Sequence, residues 1–193
     1  MLDSFLRPMQ IKTNQDGGLL RLIACVCMFI DHAGKMLFPQ LTWMRMVGRL
    51  AFPLFAYGIA VGAAMTRHPR QYIARVAALA LVSQPLYAVA LGHTNEAMYA
   101  VPFAQHPLRA LCTFYMESWE KPSILLALLL GLLLLLCLRE KQYVPALLIY
   151  VLCARFSAEL DYGVSGIGLM VVFYLFLEHP ALCFAASTAY MLV

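Results

Sequence analysis

The chain has 193 residues, of which 63% are hydrophobic and 12% are charged. Soluble globular domains carry about 25% charged residues, so this composition excludes a water-soluble globule and indicates an integral membrane protein. The net charge of +4 is spread over short loops, which fits orientation in a bilayer and does not suggest nucleic-acid binding. The six cysteines show neither a disulfide framework nor zinc spacing, so we expect no metal.

Apolar segments of membrane-spanning length recur along the chain. A transmembrane helix needs about 20 predominantly apolar residues. Segments that approach this length lie at 19–38, 46–65, 72–92, 122–138, 143–158 and 164–178. A weaker apolar tail at 180–193 would make one further span. We therefore predict an all-α fold, a polytopic transmembrane helix bundle of six to seven spans.

Two stretches are too polar to cross a bilayer. Residues 1–18 contain charged residues and a Gly-Gly pair and lack the apolar core of a signal peptide, so we expect a polar N-terminal tail. Residues 92–121 mix charged, aromatic and apolar residues, and we expect a loop that can lie along the membrane surface. The remainder, 19–193, is predicted to form a single transmembrane domain that carries this loop on its outer side.

The placement of lysine and arginine predicts the orientation. Cytoplasmic loops of membrane proteins carry an excess of these residues. A cytoplasmic N-terminus assigns most of them to the cytoplasmic side, namely Arg7, Lys12, Arg21, Arg67, Arg70, Arg75, Arg139 and Lys141. We therefore predict a multi-pass protein whose N-terminus lies in the cytoplasm.

The first span carries three ionisable residues, Asp31, His32 and Lys35, in the segment MFIDHAGKMLF. His32 follows Arg21 by about 16 Å of helix and therefore lies deep in the hydrocarbon region. A central Asp or Lys costs roughly 2.5–3.5 kcal/mol, so these groups should be paired or should face a wet cavity. His32 points about 100° away from Asp31, so a direct pair between them is geometrically awkward. We expect Asp31 to pair with Lys35 or with an arginine of the second span.

The second span, MRMVGRLAFPLFAYGIAVG, places Arg45 and Arg49 one turn apart and follows them with Pro53. Either arginine could pair with the carboxylate of the first span. Pro53 cannot donate a hydrogen bond to the carbonyl of Arg49, so a kink is predicted that turns this carbonyl and the guanidinium to the interior. For Arg45, snorkelling to the interface is the alternative. Gly58 and Gly62 predict close helix packing.

Polar residues also occur in the turn between the fifth and sixth spans. The segment ARFSAELDYGVSGIG contains Glu159, Asp161 and Tyr162, on the side of the membrane that is predicted to hold Lys35. These residues could face a substrate. A solvated turn without a binding role is the alternative.

The third and fourth spans have simpler interpretations. In ALVSQPLYAVA, we expect Ser83 and Gln84 to satisfy backbone groups that Pro85 leaves free. The fourth span, SILLALLLGLLLLLCL, shows no polar pattern and is predicted to face lipid.

The chain resembles the TraX family of conjugative-plasmid proteins in four segments, which occur in the order MFIDHAGKMLFP, RMVGRLAFPLFAYGIAVGAAMTRHPRQYIARVAALALVSQPLYA, LLALLLGLLLLL and DYGVSGIGLMVVFYLF. The resemblance implies an acetyltransferase of the bacterial inner membrane. Such an enzyme moves an acetyl group from acetyl-CoA to the N-terminal amine of a pilin subunit in conjugative pilus biogenesis. The wider superfamily that the chain is similar to includes the lysosomal heparan glucosaminide N-acetyltransferase, in which a membrane-embedded histidine is thought to be the catalytic group. His32 is the matching position in kind.

The residues of the first two spans suit this chemistry. Acetyl transfer to an amine needs a group that takes the amine proton, and imidazoles suit this role because they titrate near working pH. His32 is therefore the predicted base or acetyl-carrying nucleophile, and Asp31 serves it indirectly. Arg49 or Lys35 can stabilise the oxyanion of the tetrahedral intermediate.

The two substrates are expected at opposite ends of the bundle. The loop TRHPRQYIAR offers Arg67, Arg70 and Arg75 at the cytoplasmic mouth. These arginines can bind the anionic end of acetyl-CoA, or they can simply anchor the orientation. At the outer end, the acidic turn that ends in Tyr162 is predicted to attract the cationic amine of the acceptor.

Two other functions fit the same residues. Charged residues inside a bundle also line transporters and ion pathways, although no inverted repeat is visible here. A non-catalytic pilus assembly factor would use the stretch 92–121 to contact partners and would need no histidine in the membrane. Incorporation of labelled acetyl groups by the purified protein separates the enzyme from both.

Overall fold

The computed structural model describes residues 17–156 and 162–192, and every regular element within these ranges is a helix. The α-helices are α1 (Gly17–Met36), α2 (Thr42–Gly48), α3 (Ala51–Met65), α4 (Pro69–Ala90), α5 (Pro107–Glu117), α6 (Ile124–Arg139), α7 (Tyr143–Arg155), α8 (Gly163–Leu175) and α9 (Pro180–Leu192). Short 3₁₀ turns occupy Glu96–Tyr99 and Ser118–Glu120. The predicted all-α fold is confirmed.

Fewer helices reach membrane-spanning length than the sequence predicted. By length and composition, α1, α4 and the segment Thr42–Met65, which α2 and α3 form together, can each cross a bilayer. A fourth span results if Pro107–Glu120 and α6, which meet at an angle of 68°, count as one broken span. The helices α7, α8 and α9 have 13 residues each, which is about 20 Å of helix against roughly 30 Å of hydrocarbon. The described part of the chain therefore supports three or four spans instead of six to seven.

The leucine-rich helix α6 lies at the centre of the bundle. It packs against α3, α4, α7 and α8, and α3 also packs on α8. Leu132 and Leu135 have no exposed surface, and they form one core with Phe52 of α3 and Ile167 of α8. The prediction that this span faces lipid was wrong. The apolar outer surface comes from other helices, where side chains such as Phe29 remain 74% exposed, as expected for a bundle that is embedded in lipid.

Residues 92–121, predicted as a loop, contain α5 and both 3₁₀ turns. Gln84 of α4 is fully buried and holds the chain that leads into α6. Its Nε2 donates to the carbonyl oxygens of Ser118 (2.5 Å) and Lys121 (3.0 Å), and its Oε1 accepts from the Ser123 N–H (2.8 Å). Gln84 thus binds the backbone of this turn and not, as predicted, the backbone beside the proline of its own helix.

The carbonyl that Pro85 leaves free has a different partner. Within a regular helix the residue at position 85 would donate to the carbonyl of Leu81, which proline cannot do. The hydroxyl of Tyr115 on α5 donates to that carbonyl at 3.2 Å. The carbonyl that Pro85 leaves free therefore takes a side-chain donor, as predicted, and Tyr115 of α5 supplies it.

Arg139, the last residue of α6, completes the C-terminal end of α3. Its Nη1 donates to the carbonyl oxygens of Ala63 (3.0 Å) and Thr66 (2.9 Å), and its Nε lies 3.8 Å from a carboxylate oxygen of Glu140. The last four carbonyls of a helix lack partners within the helix and carry partial negative charge. The guanidinium satisfies two carbonyls at this end and neutralises part of that charge.

Candidate functional site

The second span is interrupted at Arg49 and Leu50, between α2 and α3. Arg49 caps α2, with its N–H donating to the carbonyl of Arg45 at 3.1 Å, and α3 begins at Ala51. Pro53 occupies the first turn of α3, where a helix needs no backbone donor. The break leaves both arginines at the end of the bundle where α1 finishes.

A cavity of about 460 Å³ opens at this end. We name it the His32 cavity. Its lining comes from α1, α2, α3, α4, α6, α8 and α9. The polar side chains that line it are Asp31, His32, Lys35, Arg45, Arg49, Tyr87 and Tyr162. The four predicted catalytic residues of the first two spans are therefore brought to one place.

His32 is half-buried, and one of its ring nitrogens is fixed. Its Nδ1 lies 2.8 Å from the carbonyl oxygen of Met28. A carbonyl can only accept, so Nδ1 carries the hydrogen, and Nε2 of the neutral ring holds the free lone pair. This tautomer is the one that can accept a proton at Nε2.

Asp31 is held by close packing against α2. A Cβ at Gly48 would overlap the Asp31 side chain, so only glycine leaves room for the carboxylate there. Among the residues that the structure describes, Asp31 forms no ion pair, and Arg139–Glu140 is the ion pair found. The predicted pairs of Asp31 with Lys35, Arg45 or Arg49 are not formed; these residues share a cavity with Asp31 instead.

Cations dominate the charge of the His32 cavity. Its described lining holds Lys35, Arg45 and Arg49 against the single carboxylate of Asp31. Lys35 is half-buried, whereas both arginines keep exposed surface. Arg45, for which snorkelling was the alternative, lines the cavity together with Arg49. Such a charge balance favours negative charge inside the cavity and disfavours an ammonium ion.

Tyr162, the residue before α8, lines the cavity and is 47% exposed. Its ring stacks on Phe52 of α3 with a centroid separation of 4.1 Å and an interplanar angle of 6°. Its φ of +62° is in the left-handed region, which is uncommon for a residue with a side chain. The predicted acceptor-side residue Tyr162 is thus part of the His32 cavity. Glu159 and Asp161 lie outside the described residues.

A second cavity, of about 700 Å³, lies towards the opposite ends of α1 and α3. We name it the arginine cavity. Three guanidinium groups line it, from Arg21 of α1, Arg67 of the turn before α4, and Arg75 of α4. The described lining does not include the predicted Arg70, which lies about 140° around the helix from Arg75. Tyr72 also lines this cavity and packs so closely on Gly62 that a Cβ there would lie 2.6 Å from its hydroxyl.

Sequence reasoning missed four residues of these two cavities. Arg21 was assigned only to orientation, and Tyr87, Gly48 and Tyr72 were given no role. A single glycine or tyrosine in an apolar span carries no pattern of its own. The position of Arg21 on the same helix as His32 was a signal that could have identified it as a cavity residue.

The fold and these cavities define an all-α transmembrane helix bundle with a polar cavity at one end and a basic cavity at the other. The family model described as TraX protein matches residues 16–193. The chain belongs to the TraX family.

Individual relatives match over shorter stretches. An uncharacterized protein of Rickettsia prowazekii is 48% identical over 25% of this chain and 19% of its own length. The probable fimbrial assembly protein FimC, serogroup H1, of Dichelobacter nodosus is 26% identical over 83% of this chain and 60% of its own. Protein TraX of Escherichia coli K12 is 33% identical over 34% and 26%. The chain thus spans at most 60% of the length of these relatives. No solved structure matches the chain significantly.

Proposed function

We propose that this protein is a membrane-embedded acetyltransferase that moves an acetyl group from acetyl-CoA to the N-terminal amine of a pilin subunit. The observation that carries the proposal is the His32 cavity, where a half-buried histidine with a fixed tautomer lies among three cations. The name of the Dichelobacter nodosus relative, a probable fimbrial assembly protein, supports pilin as the acceptor.

The proposed acetyl transfer takes place in the His32 cavity by attack of the amine and collapse of the tetrahedral intermediate. The amine nitrogen attacks the thioester carbonyl carbon, and His32 Nε2 takes the proton that the amine loses. The negative charge that develops on the carbonyl oxygen is stabilised by Arg49 or Lys35. The tetrahedral intermediate then collapses, the carbon–sulfur bond breaks, and the thiolate of coenzyme A takes up the proton. An amide and a free thiol are the products.

The cationic lining also prepares the acceptor. An N-terminal amine has an ordinary pKa of about 8 and is largely protonated at neutral pH. A cavity with three cations and one carboxylate favours the neutral amine, the form that attacks. Asp31, held against Gly48, limits this positive charge beside His32 and takes no proton itself in this scheme.

The proposed arrangement is two-sided. The arginine cavity receives acetyl-CoA from the cytoplasm, and the His32 cavity meets the pilin amine at the outer side of the bacterial inner membrane. Glu159 and Asp161, which precede Tyr162 in the sequence, form the proposed acidic approach for the cationic amine. Surrounding lipid covers the exposed apolar helix faces.

The test is transfer of labelled acetyl groups from acetyl-CoA to a pilin N-terminal peptide by the purified protein in detergent. His32→Ala and His32→Gln should both lose transfer by at least about 100-fold, because general-base catalysis contributes roughly 10²–10⁴-fold and glutamine is not basic. His179→Gln, which changes an exposed histidine outside the described lining of both cavities, is the matched control for the substitution.

The readouts separate the alternatives. Both His32 variants should express and insert as the unchanged protein does, since the His32 side chain bonds only to the carbonyl of Met28 within the described residues. Near-normal transfer by either variant removes His32 from the mechanism. Absence of transfer by the unchanged protein, with normal pilus assembly in cells, favours the non-catalytic assembly factor.

A further inference from the structure

We propose that Arg21 is a third phosphate-binding residue of the arginine cavity, and that α1 fixes the distance between this phosphate site and His32. The ligand is an elongated acyl thioester with a polyanionic phosphate-bearing end. This inference rests on the proposed function. It identifies two properties that the donor needs in order to react, namely negative charge at one end and enough length to place its thioester at His32.

The first argument is the charge of the arginine cavity. Arg21 comes from α1, whereas Arg67 and Arg75 come from the turn before α4 and from α4 itself, and His68 also lines the cavity. The described lining contains no aspartate or glutamate. Guanidinium groups that converge without a carboxylate bind phosphate through bidentate, charge-assisted hydrogen bonds.

The second argument is how the adjoining helix ends are oriented. The positive N-terminal end of α4 begins at Pro69, beside the cavity. The negative C-terminal end of α3 finishes at Met65, which lines the same cavity. Arg139 binds the carbonyls of Ala63 and Thr66 at that end and so offsets its negative charge. The net field at this site therefore favours an anion.

The third argument is distance. Arg21 and His32 are both on α1, eleven positions apart, which corresponds to about 16 Å of helix. The described linings of the two cavities come within one turn of each other on this helix, because Cys25 lines the arginine cavity and Met28 lines the His32 cavity. A donor anchored by phosphate at Arg21 must extend about 16 Å to bring its thioester to His32. A compact acyl phosphate cannot do both.

Phosphate chemistry of this kind could also belong to the headgroup of an anionic lipid. The experiment therefore compares two probes on the purified full-length protein. One is adenosine bisphosphate, which forms the anionic end of coenzyme A. The other is phosphatidylglycerol, supplied in nanodiscs and compared with phosphatidylcholine. The variants are Arg21→Gln and, as matched control, Arg70→Gln, because Arg70 is a neighbouring arginine outside the described lining of the cavity.

We expect Arg21→Gln to weaken adenosine bisphosphate binding by about tenfold or more, as for loss of one charge-assisted hydrogen-bonding group. Arg70→Gln should change it by less than about twofold, as is usual for an exposed charge at a distance from the ligand. In transfer assays, Arg21→Gln should raise the KM for acetyl-CoA about tenfold while kcat is kept. Use of the short donor S-acetyl-N-acetylcysteamine, which has no phosphate, should not change.

Equal effects of the two variants on nucleotide binding would overturn the inference, and so would loss of phosphatidylglycerol binding in Arg21→Gln with nucleotide binding unchanged. Acetyl transfer that is indifferent to Arg21 would overturn this inference and leave the proposed function standing. Nucleotide binding that depends on Arg21, in a protein that transfers no acetyl group from any donor, would support the phosphate site and contradict the proposed function.

Discussion

Gly48 is as much a part of the His32 cavity as the charged residues are. Its missing side chain is the space that Asp31 occupies, and the two residues lie on different helices, α1 and α2. The position of this carboxylate is therefore set by steric fit against the backbone and not by an ion pair. The position of Asp31 beside His32 therefore depends on a residue that has no chemistry of its own.

Gly48→Ala tests this dependence. The added methyl group must displace Asp31 or separate α1 from α2, and overpacking of this kind typically costs about 1–3 kcal/mol. We expect acetyl transfer to fall by at least about tenfold and the thermal unfolding midpoint in detergent to fall as well. Gly18→Ala on α1 is the control, because a Cβ there would meet nothing within 4 Å and Gly18 is outside the described lining of both cavities. Equal behaviour of the two variants would mean that the fit around Asp31 does not matter.

At this scale the sequence identified the ionisable residues that line one cavity, but it did not predict which of them contact each other. Ionisable residues in an apolar helix stand out because burial makes them costly, so Asp31, His32, Lys35 and Arg49 were found from the sequence and share one cavity. Which group contacts which depends on rotamers and on the break between α2 and α3. Neither is encoded in residue spacing, so the ion pair predicted for Asp31 was wrong.

Helix α6 shows what hydropathy cannot distinguish. Lipid tails are as apolar as leucine side chains, so a uniformly apolar span has the same composition whether it faces lipid or protein. The structure places α6 against four other helices, with Gly131 so close to Met170 of α8 that a Cβ would overlap its sulfur. The small residue within the leucine run was the available signal, since glycine marks close helix approach in membranes.

Leu135→Ala measures the role of α6. Leu135 is fully buried, and the same change in soluble cores costs roughly 2–5 kcal/mol. We expect the lower part of that range here, because in a bilayer the lost packing remains while the transfer from water is absent. Leu148→Ala on α7, where the side chain is 65% exposed, should have little effect. The measurement is unfolding in mixed micelles, and similar losses for both variants would contradict a central position of α6.

The whole molecule has two polar ends joined by helices α1 and α3. One end holds the His32 cavity and the other holds the arginine cavity, and both helices line both of them. A two-substrate reaction across a membrane needs this separation together with one continuous element between the sites. In the proposed reaction, the orientation in the membrane decides which substrate meets which cavity.

Cysteine labelling tests the orientation. Cys112, predicted in a loop, lies on α5 and is exposed. In a protein that keeps only this cysteine, a membrane-impermeant maleimide should react from the outer side. A second protein, which replaces Cys112 and carries Gln142→Cys in the turn after α6, should react only from the cytoplasm. Labelling of Cys112 from the cytoplasm alone would invert the orientation and remove the two-sided mechanism.

At the scale of the molecule, composition was sufficient for the all-α bundle and insufficient for the number of spans. Apolar windows overstate helix length where turn residues end a helix early, as at Arg155 and Leu175. The bend before α6 likewise depends on the hydrogen bonds of Gln84. A hydropathy window does not include such contacts between distant residues. Long-range backbone contacts of single polar residues are the part of this fold that sequence reasoning could not reach.

Arg139 also has a consequence for how the protein is made. The carbonyls that it binds, at Ala63 and Thr66, precede it in the chain by 76 and 73 residues. They leave the ribosome while α6 is still untranslated. The C-terminal end of α3 therefore receives its hydrogen bonds from Arg139 only late in biogenesis. A nascent chain arrested between α4 and α6 would hold its first four helices with that end still open to water and to chaperones.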